Sequence, residues 1–178
     1  MDFSKIESDF RKEIVRGGES YLDGQVKIAA SADSRASSLA GMYTAAATAL
    51  TAGVAVAVFN AAGSALHERL PLILGGGSAA LCFLAGALCC VSAIQPVSFY
   101  LPGCEPNNWE EDILAGKKLD ECLGERALHI QGHINANFDV IKQNAGRFAW
   151  GARFGMAAPF VGIFVGMFTW GFARWCAY

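Results

Sequence analysis

The chain has little charge, and it has none at all in three long stretches. Of its 178 residues only 14 are Lys or Arg and 16 are Asp or Glu, while 53% are hydrophobic. Residues 36–66, 70–104 and 154–173 contain no Asp, Glu, Lys or Arg. A helix of about 20 apolar residues spans the roughly 30 Å hydrocarbon core of a bilayer. Each stretch is long enough for this, so the sequence predicts three transmembrane helices.

The same shortage of charge argues against several functions. Nucleic-acid binding needs a basic surface, whereas this chain has a net charge of -2. Proton relays and ion-coupled transporters place ionisable residues inside the membrane, and the three stretches have none. No P-loop, nucleophile elbow or dinucleotide-binding glycine motif is present. We therefore expect no enzyme, no cofactor and no nucleic-acid partner.

The expected fold is an all-α integral membrane protein with three transmembrane helices and a small cytoplasmic helical bundle. The charge pattern and the helix breakers divide the chain into six segments. Residues 1–38 form cytoplasmic helices that lead into the first span, 39–60 form transmembrane helix 1, 61–69 form an external hairpin, 70–95 form transmembrane helix 2, 96–150 form a cytoplasmic interfacial segment and an amphipathic helix, and 151–175 form transmembrane helix 3.

The Lys and Arg residues outside the three charge-free stretches are distributed unequally. Six precede the first span, six lie between the second and third spans, and only Arg69 and Arg174 lie on the other side. Cytoplasmic segments of membrane proteins carry such an excess of Lys and Arg. The sequence thus predicts a multi-pass protein of the bacterial inner (plasma) membrane, with a cytoplasmic N-terminus and a periplasmic C-terminus.

Local signals predict where the helices begin and end. Ser4 and Glu7 form a capping box at the start of a first helix, and Gly17-Gly18 is expected to end it. A second helix from Glu19 has no strong breaker before the end of the first span, so we expect it to enter the membrane uninterrupted. Asn108 is a suitable N-cap for a later helix, which Gly116 is expected to break.

Small residues recur along two of the spans. In the first span they are Gly41, Ala45, Ala49, Gly53 and Ala57, one every four residues; in the third they include Gly155, Gly162 and Gly166. Such stripes let another helix backbone approach closely, and Gly162–Gly166 is a GxxxG motif. Two stripes indicate a homo-oligomer within the lipid bilayer. Tight packing inside one protomer is the alternative.

Three threonines, Thr44, Thr48 and Thr51, form a row beside the first stripe. One interpretation is a hydrophilic face that lines a pore. The other is that each hydroxyl bonds to the carbonyl four residues earlier, or across a helix pair.

One helical face carries side chains that bind metals. Glu125, His129 and His133, together with Cys122, fall within a narrow arc of the helix. They are weak candidates for a zinc site, or for a pH-sensitive contact. Histidines at this spacing are also common on solvated faces, and no HExxH or CxxC motif accompanies them.

The sequence Ala32-Asp33-Ser34-Arg35-Ala36, just before the first span, resembles the Ala-Asp-x-Lys/Arg-Ala signature of Pycsar transmembrane effectors, small bacterial anti-phage membrane proteins. The layout is similar to that of the related SLATT-type effectors. The resemblance implies that a nucleotide signal triggers oligomerisation, which breaches the inner membrane, and that Asp33 and Arg35 are the matched positions. Interfacial anchoring is the simpler interpretation of this pair.

These patterns favour a self-associating inner-membrane protein that alters membrane permeability, as an anti-phage effector or a small channel. The alternative is an accessory or scaffold subunit of a larger membrane complex, with a protein partner docked on the cytoplasmic helices.

Overall fold

A computed structural model of the chain describes residues 7–60, 65–95 and 98–175. Most of these residues are helical, and there is no β-strand among them. The elements are α1 (Ser8–Phe59), α2 (Ala65–Ala93), a 3₁₀ helix (Pro106–Trp109), α3 (Glu110–Leu114) and α4 (Leu119–Trp175). The all-α prediction is thus confirmed for the described part of the chain.

α1 is a single helix of 52 residues. The prediction that Gly17-Gly18 ends a first helix is therefore wrong, whereas an uninterrupted helix from Glu19 into the first span is confirmed. A helical Gly costs only about 1 kcal/mol relative to Ala, and packing against α4 favours it here. A Cβ at Gly18 would lie 2.6 Å from Cγ2 of Ile130. The predicted cap at Ser4 lies outside the described residues.

α1 and α4 continue without a break through the segment borders at residues 38/39 and 150/151, as expected for helices that run from a polar segment directly into a span. α2 already begins at Ala65, within the segment expected to form a hairpin, and residues 61–64 of that segment lie outside the described residues.

The connection between α2 and α4 differs from the prediction at one cap. Asn108 lies inside the 3₁₀ helix, and its side-chain amide donates to the Cys104 sulfur at 3.4 Å. Pro106 explains the difference, because proline favours the first position of a helix and starts the turn earlier. The predicted break at Gly116 is confirmed: this residue has φ +64° and lies between α3 and α4.

The chain divides into two compact units. We call residues 1–32 and 96–143 the polar unit, and residues 33–95 and 144–178 the apolar unit. In both we consider only the described residues. α1 and α4 each contribute a segment to both units.

In the polar unit, α1 and α4 run parallel. The Ser8 hydroxyl donates to the Asp120 carboxylate at 2.6 Å, and further along the Gln25 amide donates to the Ile134 carbonyl at 3.1 Å. Residue numbers therefore rise together along the two helices. Leu22, on the same face of α1, is fully buried.

In the apolar unit, α2 runs antiparallel to α4. Gly86 of α2 lies against Gly151 of α4, and Gly75 lies against Gly162. Most buried side chains of this unit are small, and they are Ala36, Ala40, Ala47, Ala57, Ala79, Ala80, Ala87, Cys90, Ala93 and Ala158. Small residues at the contacts are typical of membrane helices, because lipid supplies no hydrophobic force between them and close packing must hold them together.

Three helices are long and apolar enough to cross a membrane: Ser8–Phe59, Glu68–Ala93 and Leu119–Trp175. Only 11%, 28% and 6% of their apolar windows are buried inside the chain. Large apolar side chains such as Phe160 and Phe164 point outward instead. Such a surface is suited to lipid, and the predicted number of helices long and apolar enough to span a membrane, three, is confirmed among the described residues.

Two arginines donate hydrogen bonds to carbonyls near the C-terminal ends of neighbouring helices within the apolar unit. Arg69 of α2 donates to the Ala57 carbonyl of α1 at 3.4 Å, and Arg147 of α4 donates to the Ser92 carbonyl of α2 at 3.0 Å. The last carbonyls of a helix have no partner within it, and a cation there also compensates the helix dipole. Neither α1 nor α2 has a basic residue in its own last turn.

Candidate functional site

The glycine stripe of α4 is covered inside the chain. Gly155 lies so close to the Tyr43 ring of α1 that any side chain there would overlap the ring. A Cβ at Gly162 would lie 3.0 Å from the Gly75 carbonyl oxygen of α2, and Gly166 also faces α2 backbone. These three glycines therefore serve packing within one protomer, which was the alternative to an oligomer contact.

The stripe of α1 has the opposite environment. Gly41, Ala45, Ala49 and Gly53 are exposed, and only Ala57 is buried. No atom lies within 4 Å of where a Cβ of Gly41 or Gly53 would be. A second helix could thus approach this face of α1 without meeting any described part of the same chain.

The threonine row has its hydroxyls satisfied by its own helix. Thr44, Thr48 and Thr51 donate to the carbonyls of Ala40, Thr44 and Ala47 at 2.8, 2.9 and 2.8 Å. All three side chains are exposed. A hydroxyl that already donates to a carbonyl of its own helix needs no other acceptor, so the row can face lipid. Each hydroxyl oxygen can still accept a hydrogen bond from water.

Asp33 and Arg35 lie within the uninterrupted α1, where its apolar-unit segment begins. Asp33 is half-buried, Arg35 is exposed, and the next residue, Ala36, is the first buried side chain of that segment. This position at the edge of a charge-free stretch fits interfacial anchoring.

A cleft of about 550 Å³ opens in the polar unit. It gathers Glu125, His129 and His133, the side chains that the sequence singled out. Its lining comes from α4 (Cys122, Glu125, Arg126, His129, His133), from the 3₁₀ helix and α3 (Asn107, Asn108, Trp109, Glu110, Glu111, Asp112) and from Cys104.

The cations near this cleft already have carboxylate partners. Lys117 lies 2.8 Å from Asp112 and 2.9 Å from Glu125, and hydrogen bonds to these two groups raise the pKa of Lys117 above its ordinary value. Arg126 lies 3.3 Å from Glu19 of α1. Their positive charge is therefore largely compensated inside the protein.

The rim of the cleft is acidic. Glu110 and Glu111 are exposed, and neither forms an ion pair within the described residues. The half-buried Trp109 also lines the cleft. Uncompensated negative charge lowers the local concentration of anions, so this arrangement disfavours a ligand that carries phosphate.

Residues 98–103, which we call the strap, are held on α4 by a buried amide. The Asn137 side chain accepts from the Tyr100 N–H and donates to the Tyr100 carbonyl, both at 2.9 Å. Asn137 is fully buried, and Arg126 donates to the Gly103 carbonyl at the other end of the strap. The strap is therefore fixed at two points.

His133 takes part in the same contact. Its ring stacks on Tyr100 with centroids 4.1 Å apart and planes 5° apart. Burial, and then the nearby Arg126 and His129, lower the pKa of His133. The packed strap therefore favours neutral His133, in keeping with the pH-sensitive contact that the sequence allowed.

The metal-binding candidates do not converge. Among the described residues, no three His, Cys, Asp or Glu side chains are placed to share an ion. Glu125 is engaged by Lys117, and His133 by Tyr100. Burial raises the pKa of Cys122, which favours the thiol over the thiolate that binds metals.

Sequence reasoning missed two residues that organise these sites. Tyr43 fills the space beside Gly155 in the apolar unit, and Asn137 holds the strap. A signal exists for each: Tyr43 is a bulky ring in a run of small residues, and Asn137 is an amide next to the apolar positions Ile134 and Phe138.

Comparisons of the chain with protein-family models, with curated proteins and with solved structures give no match. The effector resemblance of residues 32–36 therefore stays a prediction, and function has to be argued from the geometry of the chain itself.

Proposed function

We propose that the protein is a self-associating protein of the bacterial inner membrane that alters membrane permeability, as an anti-phage effector or a small channel. The observation that carries this proposal is the open small-residue stripe of α1. The stripe of α4 is occupied within the protomer, whereas a Cβ added at Gly41 or Gly53 of α1 would have no neighbour within 4 Å.

An open stripe of this kind favours association between copies. Membrane helices associate mainly through close packing, and small residues allow the closest backbone approach. A face that lacks close neighbours forgoes dispersion contacts, each worth about 0.1–0.2 kcal/mol. A neighbouring helix supplies many such contacts at once, whereas flexible lipid tails fit a narrow groove less well.

The threonine row supports a role in permeability. On α1, Thr44 and Thr48 lie about a quarter turn from the nearest stripe residues at 100° per residue, whereas Thr51 lies about half a turn from Ala49 and Gly53. If the stripe contacts a neighbouring copy, the adjacent face turns toward the centre of a ring. Thr44, Thr48 and Thr51 would then offer hydroxyl oxygens to water along that centre.

The direction of the helices fits the orientation that the Lys and Arg distribution predicts. α1 and α4 run parallel in the polar unit, and α2 runs opposite to α4 in the apolar unit. An N-terminus in the cytoplasm and a C-terminus in the periplasm require these relative directions.

The anti-phage part of the proposal rests on the resemblance at Asp33 and Arg35. That resemblance implies a nucleotide trigger, and the acidic rim of the polar-unit cleft does not favour one there. A trigger carried by a protein partner or by a change in the membrane suits the chain better.

The test is membrane potential in bacteria during induced expression. We expect rapid depolarisation by the wild type and none by Gly41→Leu/Gly53→Leu, because the larger side chains prevent close approach, while the Cβ positions of Gly41 and Gly53 have no described atom within 4 Å. Gly77→Leu is the matched control, since Gly77 also has open space around it, and it should depolarise like the wild type. Depolarisation by the stripe variant would contradict this interface.

The second candidate is an accessory or scaffold subunit. It is favoured by α3, which exposes Ile113 and Leu114, two adjacent apolar side chains that the described chain leaves uncovered. A wild type that leaves the membrane potential unchanged, together with a protein that co-purifies at fixed stoichiometry, would favour this function over the first.

A further inference from the structure

The polar-unit segment of α1 has two apolar seams, of which only one is used within the chain. The inner seam packs on α4 and includes Gly18, Leu22 and Gln25. The outer seam lies about 100° away on the helix. It comprises Phe10, Ile14, Gly17, Tyr21, Gly24 and Ile28, with spacings of four, three, four, three and four residues. This alternation is the heptad pattern of a coiled coil.

Most of the outer seam is exposed, with Ile14 and Gly24 half-buried. Phe10, Tyr21 and Ile28 are 63%, 58% and 59% exposed. Gly17 and Gly24 have no atom within 4 Å of a Cβ position. Three large apolar side chains in helical register, with glycines between them, form a surface into which knobs of another helix fit.

Charged side chains lie beside the outer seam and not on it. The exposed ion pairs Lys12–Asp9, Arg16–Glu13 and Lys27–Asp23 all join residues outside it. A solvated helix face carries charged and polar side chains. The outer seam has no charged side chain from Phe10 to Ile28, which distinguishes it from the rest of the surface of this helix.

We propose that a second copy of the chain packs on the outer seam, so that the α1 helices of neighbouring copies are in contact outside the membrane as well as within it. This inference rests on the proposed self-association and names a contact surface for it. Heptad positions on a helix that continues into a membrane span favour a parallel neighbour, and a second copy in the same bilayer has that direction.

The size of the seam favours a second copy over a soluble partner. At about 200 Å² for a large side chain, three side chains exposed by roughly 60% offer about 350 Å² per copy. Two copies would bury about 700 Å², short of the roughly 1,200 Å² of a stable interface between soluble proteins. A second copy adds the open stripe of its own α1 and is concentrated by the shared membrane.

The experiment is photo-cross-linking of the full-length protein in membranes. A benzophenone amino acid replaces Tyr21 on the seam or, as matched control, Ala30, which is exposed on the opposite side of α1. We expect an adduct with twice the mass of the chain from position 21, several-fold more abundant than from position 30. Mass spectrometry should identify both of its peptides as belonging to this chain.

Three results would overturn the seam contact: no such adduct at position 21, equal adducts at both positions, or an adduct with another protein or with lipid. Light scattering of the purified protein separates this failure from that of the proposed function. An oligomer without the position-21 adduct refutes the outer seam and leaves self-association standing, whereas a monomer refutes both.

Discussion

The first prediction concerns Gly75, where the backbones of α2 and α4 lie close together. A Cβ at Gly75 would lie 2.6 Å from the Gly162 carbonyl oxygen and 3.3 Å from the Gly166 Cα atom. Both neighbours are backbone, so no side-chain rotation can relieve the overlap. We therefore expect Gly75→Ala to force the two helices apart.

The size of the effect follows from the distances. Ordinary van der Waals contact for a Cβ begins at 3.4 Å, so the 2.6 Å approach requires a shift of about 0.8 Å. A gap of 0.5–1 Å loses about a quarter to a half of each dispersion contact along the interface. Overpacking of this kind costs about 1–3 kcal/mol, and better helix propensity offsets about 1 kcal/mol of it.

Gly77→Ala is the matched control, since no atom lies within 4 Å of its Cβ position. It gains the same propensity without a clash, so its free energy of unfolding should equal or exceed that of the wild type. We expect Gly75→Ala to fall about 1–3 kcal/mol below Gly77→Ala. Reversible unfolding in mixed micelles measures the difference. Equal stabilities of the two variants would show that α2 and α4 do not approach at Gly75.

Two further predictions concern the strap. Asn137→Leu removes both hydrogen bonds to Tyr100 and should destabilise the strap by about 1–3 kcal/mol, seen as faster amide exchange at Tyr100; the exposed control Asn135→Leu should leave it unchanged. Acidification should act in the same direction. Because the packed strap lowers the pKa of His133, its stabilisation is complete above the ordinary value of 6.5 and is lost as the pH falls through the lowered value. The measurement is the protection factor of the Tyr100 amide, which is corrected for the intrinsic pH dependence of exchange. A protection factor that stays constant between pH 7 and 5 would contradict this role of His133.

The spans and the helical character could be read from the sequence because they depend on local composition. A charge-free stretch of 20 residues has few alternatives to a membrane helix. The glycine at 116 likewise acts through its own backbone, where φ is positive. Such features need no knowledge of which helix lies next to which.

The error at Gly18, and the open question at Gly162 and Gly166, arose because a distant partner decides the outcome. Gly18 has the local character of a helix stop, but Ile130 packs against it and the helix continues. Gly162 and Gly166 carry a motif of helix pairing, and the sequence alone does not tell whether the paired helix belongs to the same chain. A periodic pattern identifies a face, whereas its occupant depends on the whole packing arrangement.

The cleft was foreseen only in part for the same reason. Helical spacing placed Glu125, His129 and His133 on one face of α4, and all three line the cleft. The pairing of Glu125 with Lys117, and of His133 with Tyr100, depends on segments that are not on that helix. Spacing on one helix therefore predicted proximity and not the function of each side chain.

The two arginine contacts at helix ends have a consequence for how the protein is made. Arg69 lies only 12 residues after its acceptor at Ala57, whereas Arg147 lies 55 residues after its acceptor at Ser92. An unpaired carbonyl is costly away from water. During synthesis the Ala57 carbonyl of α1 can gain its arginine partner as soon as the start of α2 has been made. The Ser92 carbonyl of α2 gains its partner only after α4 has reached Arg147. We therefore expect α1 and α2 to insert as the first unit and α4 to join them later.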